Sequence, residues 1–157
     1  MTITEAKTPD EYASAKALME EYAASLGINL CFQNVSEELA NLKEVYGPSR
    51  GCLLLAREAE AFVGCVAVRP VEPEVFEMKQ LYVRPDHRRC GLGRSLAAAA
   101  LVRARRLGYR RMVLDTLPRM TEAQSLYESL GFREVKCYHA NPLQGVRYLG
   151  IDLSVNS

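Results

Sequence analysis

Two glycines and three arginines share one short run, Arg88-Arg89-Cys90-Gly91-Leu92-Gly93-Arg94, and side chains of these types at this spacing are suited to holding an anion. Glycine lets the backbone curl until several N–H groups point into one space. A helix that follows adds unpaired N–H groups and its positive dipole end. Guanidinium groups fork onto phosphate oxygens. The run has the right neighbours for this. Phe76 to Val83 is apolar and β-prone, Pro85 and Asp86 stop it, and Ser95 to Leu107 carries apolar residues at helical spacing. A strand, a glycine loop and a helix in succession predict a phosphate or pyrophosphate site. The two commonest nucleotide loops do not fit. A Walker loop ends in Gly-Lys-Ser/Thr, whereas Gly93 is followed by Arg94 and Ser95. A dinucleotide fingerprint needs a third glycine where Leu96 stands.

Arg88, Gly91 and Gly93 occupy the three defining places of a Gln/Arg-x-x-Gly-x-Gly/Ala signature, and here the chain resembles the GNAT superfamily of acyl-CoA-dependent N-acetyltransferases. Leu81-Tyr82-Val83-Arg84-Pro85 looks like that family's fourth strand. Ala123-x-x-Leu126-Tyr127-Glu128-x-x-Gly131-Phe132 is similar to its second acetyl-CoA motif, and the resemblance covers roughly residues 52 to 153. It implies that acetyl-CoA is the cosubstrate, held at Arg88, Arg89, Cys90, Gly91, Leu92, Gly93, Arg94 and Ser95. It further implies that backbone groups of Leu81, Tyr82 and Val83 meet the pantetheine arm or the thioester carbonyl, and that Tyr127 stands beside the cofactor sulfur. One place departs from the pattern. Where the family commonly has Asn, three residues before Ala123, this chain has Met120, which removes one hydrogen bond to the cofactor.

Acetyl transfer to an amine first needs a proton removed, because an alkyl amine with a pKa of about 10.4 is neutral in only roughly one molecule in two thousand at pH 7. A carboxylate beside the thioester does this, directly or through water, if burial brings its pKa toward neutrality. Glu77 is the candidate. It lies six residues before Val83, where several members of the family carry a glutamate base, and alternation places it on one face with Lys79, Leu81 and Val83. The bland alternative is a surface or salt-bridged glutamate. Tyr127 is the candidate acid, or a hydrogen-bonding stabiliser of the departing thiolate, since a phenol near 10 protonates a thiolate of about 8.5 only uphill by roughly 2 kcal/mol. The alternative for Tyr127 is a core aromatic. The resemblance further implies that the Val83 N–H would meet the developing oxyanion. An acyl-cysteine route is discounted, because Cys90 lies in the phosphate loop and Cys52 and Cys65 lie in apolar strands. For the acceptor, Arg69, Lys79 and Arg147 could meet a carboxylate on a small amine, and Tyr138 to Pro142 could form a pocket wall; each is also ordinary surface.

Composition bounds the rest. The 157 residues predict one domain, 1–157; 48% hydrophobic and 25% charged residues with a mean hydropathy of -0.11 are ordinary for a soluble globular chain. With neither a secretory start nor an apolar run long enough for a bilayer, the expected place is the cytoplasm, with no membrane partner. Five cysteines without Cys-x-x-Cys spacing, and His87 and His139 without partners at ligand spacing, indicate neither a disulfide framework nor a metal. Net charge is +1, yet nine arginines and one acid, Asp86, lie between Arg84 and Arg111. No nucleic-acid motif or interleaved aromatics accompany them, so a compact polyanion such as coenzyme A fits better than nucleic acid, and arginines 103, 105 and 106 read equally as a solvated helix face.

The elements that must position these groups can be read in order. Thr2 to Lys7 reads as an edge strand, and Thr8-Pro9-Asp10-Glu11 opens a helix to about Ser25 that Gly27 ends. Ser36 to Tyr46 is a second helix, stopped by Gly47-Pro48. Cys52–Glu58 and Phe62–Arg69 form a hairpin, Pro70 and Pro73 bracket the next turn, and Phe76–Val83 is the fourth strand. Arg111–Asp115 returns parallel to it by a right-handed crossover. Thr121–Leu130 is helical, and Phe132–Tyr138 pairs with Val146–Leu153 around Asn141-Pro142. The expected fold class is α/β (α+β): a GNAT-like mixed, mostly antiparallel twisted sheet with helices on both faces and a V-shaped split between strands 4 and 5. The expected function is acetyl transfer from acetyl-CoA to the primary amine of a small molecule, by a monomer or homodimer. The alternative is a non-catalytic acyl-CoA-binding or sensing module.

Overall fold

The computed structural model of the chain describes residues 1–27, 39–47, 51–138 and 145–153. Its strands are β1 (Thr2–Glu5), β2 (Cys52–Glu58), β3 (Ala61–Glu72), β4 (Val75–Val83), β5 (Arg111–Thr116), β6 (Arg133–Glu134) and β7 (Arg147–Asp152). The helices are α1 (Pro9–Leu26), α2 (Leu42–Tyr46), α3 (Leu92–Arg106) and α4 (Thr121–Ser129). The strands form one sheet in the order β1-β2-β3-β4-β5-β7-β6. β1 with β2, β2 with β3, β5 with β7 and β6 with β7 pair antiparallel, and β4 with β5 pairs parallel. This is the mixed, mostly antiparallel α/β architecture that the sequence predicts. Among the described residues, no helix is long and apolar enough to cross a membrane.

The residues fall into two compact units, one of Met1–Arg69 with Met78–Ala100 and one of Pro70–Glu77 with Leu101–Ser157. In the first, α1 starts where its sequence dictates. Thr8 Oγ1 accepts the Glu11 N–H at 3.2 Å, and the Glu11 carboxylate accepts the N–H groups of Thr8 and Lys7 at 2.9 Å each. Those backbone donors hold the Glu11 carboxyl below the usual carboxylate range. Gly27 ends the helix at φ 68°, a conformation that favours glycine. Tyr12, Ala15, Leu18 and Met19 line one stripe of α1 and pack with Leu53, Leu55, Cys65, Ala67 and Tyr82 into a buried cluster. Each fully buried leucine there contributes about 1.5–3 kcal/mol. The other face of β3 lies close to α3: a Cβ added at Gly64 would stand 3.0 Å from the Tyr82 carbonyl oxygen and 3.1 Å from Leu96 Cδ1.

In the second unit, β5 and β7 share a register from Arg111↔Asp152 to Thr116↔Arg147. β7 follows β6 in the chain yet lies between it and β5. Phe76 stacks on Tyr109 with ring centroids 3.5 Å apart. The parallel register of β4 on β5 is short, Val75↔Arg111, Phe76↔Met112 and Glu77↔Val113, so Glu77 is its last paired residue.

Three expectations are corrected. β3 does not stop at Arg69 but runs through Pro70 to Glu72, and the turn is Pro73-Glu74 with Glu74 at φ 68°; proline is tolerated in a strand wherever its missing N–H has no ladder partner. Strict alternation from Glu77 to Val83 is interrupted, because Gln80 takes φ 61° inside β4. Beyond it Tyr82 enters the α1 cluster, while Val83 Cγ2 comes 3.5 Å from where a Gly64 Cβ would stand. The closing hairpin has a first strand of only two residues, and its connection, 139–144, lies outside the described residues. Ser36, the expected start of the second helix, lies outside the described residues as well; within them α2 is Leu42–Tyr46, and a Cβ at Gly47 would run into the Lys43 carbonyl oxygen.

Candidate active site

β4 leaves the sheet at Val83 into one turn of 3₁₀ helix, Pro85–His87, with proline at its start. Arg89 and Gly91 then take φ 64° and 82°. α3 opens at Leu92, three residues before the expected Ser95, because the Gly91 carbonyl already accepts the Ser95 N–H at 3.0 Å. The first turn of the helix is therefore Leu92, Gly93 and Arg94, whose N–H groups have no acceptor within the helix. Leu92 is a core anchor at 2% exposure, while Arg89, Cys90, Gly91, Arg94 and Ser95 are exposed. A Cβ placed on Gly91 would meet nothing within 4 Å, so the loop turns an open backbone face outward. A phosphate group fits there: N–H donors and the positive end of the helix dipole coincide, and Arg89 and Arg94 flank them in the chain.

Arg88 does something the spacing did not show. Its Nε donates to the Val83 carbonyl at 2.8 Å, and its guanidinium lies 5.7 Å from the centre of the Tyr82 ring, which staples the loop to the end of β4. Cys90 Sγ donates to the His87 carbonyl at 2.9 Å and Ser95 Oγ to that of Gly91 at 3.0 Å, so these side chains brace the loop. Tyr82 is buried, and its hydroxyl donates to Glu21 Oε1 at 3.2 Å; burial, then the Glu21 charge, raises this phenol. Arg84 forks onto Glu21, with Nε–Oε1 3.1 Å and Nη2–Oε2 2.7 Å, which ties α1 to the residue after β4.

Glu77 is 1% exposed, so the surface reading of this residue is overturned. The Tyr138 hydroxyl donates to Glu77 Oε2 at 2.6 Å, across 61 residues of chain. The Tyr138 ring is held edge-on to Tyr148, with centroids 5.5 Å apart at 81°. Burial pushes the Tyr138 phenol far above its ordinary value, with the Glu77 charge and hydrogen bond adding to it and Asp115 and Tyr148 contributing less. Tyr138 thus stays a neutral hydroxyl. The sequence offered it only as a pocket wall.

Tyr127 is buried on α4 at 7% exposure, edge to face with Phe132 at 5.7 Å. Met120 stands at the N-cap of α4, and its side chain makes no capping hydrogen bond. Arg147 is not placed for an acceptor carboxylate. Its guanidinium meets Glu134 at 3.1 Å, Glu128 at 3.3 Å and Gln124 Oε1 at 2.7 Å. His87 faces Glu58, Nε2 to Oε2 3.5 Å, and His139 lies outside the described residues. Among the described residues, no cluster of three or more His, Cys, Asp or Glu side chains could hold a metal ion.

Residues 15–132 match the model of the acetyltransferase (GNAT) family. The chain belongs to that family. It is 41% identical over 156 residues to an uncharacterised N-acetyltransferase of Schizosaccharomyces pombe, covering 98% of this chain and 96% of the relative. In structure it is similar to a GNAT acetyltransferase from Staphylococcus aureus, with a TM-score of 0.82 at 19% identity, covering 98% of this chain and 99% of that one. It is also similar to a Salmonella typhimurium protein solved with its cofactor acetyl-CoA, with a TM-score of 0.74 at 22% identity over 100% of this chain and 96% of that one. The GNAT chain described here is accordingly an acyltransferase of the N-acetyltransferase type.

Proposed function

We propose that the enzyme moves an acetyl group from acetyl-CoA to the primary amine of a small molecule, with Glu77 as general base. The observation that carries this reading is the Glu77 carboxylate, withdrawn from water, fixed by a hydroxyl and standing at the last paired residue of β4 on β5. A base removes a proton best when it is held in one geometry and shielded from bulk solvent. The acyl carrier supplies an activated thioester. The open face of Gly91 and the first turn of α3 hold its phosphates, with Arg89 and Arg94 adding charge. Backbone groups from Leu81 to Val83 align its arm, and the Val83 N–H meets the developing oxyanion. Tyr127 acts as acid or steadies the departing thiolate. The solved relative with acetyl-CoA supports the cosubstrate, and the buried carboxylate supports an amine acceptor, which must shed a proton before it attacks.

Release of CoA thiol across a panel of small amines tests the reading. Glu77→Gln lowers amine-dependent turnover by roughly 10²–10⁴-fold, the usual contribution of a positioned base, while affinity for acetyl-CoA by calorimetry stays within about twofold. A normal rate in Glu77→Gln assigns the base elsewhere.

A further inference from the structure

A base that is 1% exposed raises a question that the loop and the strands leave unanswered, namely how a proton from the acceptor reaches it. The hydroxyl on its Oε2 belongs to Tyr138, a residue that is only partly buried as a whole, whereas Glu77 is fully withdrawn from solvent. We propose that Tyr138 is a catalytic proton relay, its hydroxyl passing the acceptor amine's proton to Glu77.

The proposal rests on Glu77 being the base and deepens that reading. In the step, Tyr138 Oη–H breaks and its proton joins Glu77 Oε2, while Oη takes a proton from the ammonium nitrogen of the acceptor. The nitrogen regains its lone pair, Tyr138 ends as it began, and Glu77 ends as a carboxylic acid, so charge and protons balance. Two features of the geometry suit a relay. The 2.6 Å separation is in the range of an O–H···O⁻ bond, so little further approach of the two oxygens is needed for the proton to cross. The ring is also fixed edge-on by Tyr148, so the hydroxyl is held in place rather than swinging in solvent. Burial first, then the Glu77 charge and hydrogen bond, with Asp115 and Tyr148 adding less, keep the phenol protonated between turnovers. A hydroxyl that both donates and accepts is what a relay needs, and a tyrosinate would be only a competing base.

The test is a proton inventory under single-turnover conditions, in mixtures of light and heavy water, on the wild-type enzyme and on Tyr138→Phe, which removes one oxygen and keeps the ring. Two protons in flight give a curved inventory in the wild type. Tyr138→Phe transfers acetyl at least tenfold more slowly, binds acetyl-CoA as before and gives a linear inventory. A linear inventory in the wild type, which needs no variant to fold, overturns the relay. So does a slow Tyr138→Phe enzyme that keeps the curved inventory, which would make the hydroxyl a positioning group. Wild-type speed in Tyr138→Phe with a slow Glu77→Gln also removes the relay but leaves Glu77 as base. Wild-type speed in both variants removes the base reading itself.

Discussion

Gly91 matters through its φ of 82°, not through the space around it, since a Cβ there would meet nothing of the protein within 4 Å. Replacing it has two separable costs. Gly91→Ala strains a left-handed backbone by about 1 kcal/mol and leaves the anion face open. Gly91→Asp adds the same strain and sets a carboxylate where a phosphate is proposed to lie. Calorimetry is expected to show at least a hundredfold loss of acetyl-CoA affinity for Gly91→Asp and a much smaller loss for Gly91→Ala; equal affinities would remove the loop from the site. Cysteine burial is as specific. Burial pushes the Cys65 thiol up to about 12, helped by the Glu21 charge, and its Sγ donates to the Gln80 carbonyl at 3.3 Å. Cys52 is buried as well, whereas Cys90 and Cys137 are exposed. Iodoacetamide on the native protein at pH 8 therefore alkylates Cys90 and Cys137 and spares Cys52 and Cys65. Mass spectrometry of the tryptic peptides reads the outcome.

α1 and the end of β4 are joined by the Glu21–Arg84 fork, and its chemistry makes a pH prediction. The Arg84 hydrogen bonds, more than its charge, hold the Glu21 carboxyl below the usual carboxylate range. A group whose pKa is lower folded than unfolded adds stability that is complete above its unfolded value and is lost as pH falls through the folded one. Both side chains are 38% exposed, so solvent screens the pair and its worth is about 1 kcal/mol or less. Stability of the wild type is expected to fall as pH drops below about 4.3, and Glu21→Gln to lose less over that same range. Urea midpoints taken at pH 7 and pH 3.5 measure it; parallel curves for the two proteins would show that the fork carries no stability. α3 illustrates a different lesson about elements. A run with two glycines looks poor for a helix, yet the helix opens at Leu92 because the Gly91 carbonyl and the buried Leu92 side chain anchor its first turn.

Stability as a whole leans on the cluster beneath α1, in which Leu55 is fully buried against its neighbours. Leu55→Ala is expected to cost about 2–5 kcal/mol and to lower the urea midpoint without changing the slope. A shift within error would mean that the cluster does not hold this chain together. The same cluster shows what could be read in advance. Thr8, Pro9, Glu11 and Gly27 set both ends of α1, and the apolar spacing set its buried stripe, because capping and periodicity act over three or four residues. The order of strand, glycine loop and helix, and the parallel return of β5, were legible for the same reason, since local chemistry and chain handedness leave few alternatives. Other features could not be read this way. The Tyr138 hydroxyl on Glu77, the Arg147 guanidinium spent on Glu128 and Glu134, the left-handed Gln80 that interrupts β4 and the strand that continues through Pro70 all depend on neighbours distant in sequence. Sheet register brings such partners together, and register is set by the simultaneous packing of many side chains, which no short window of residues contains.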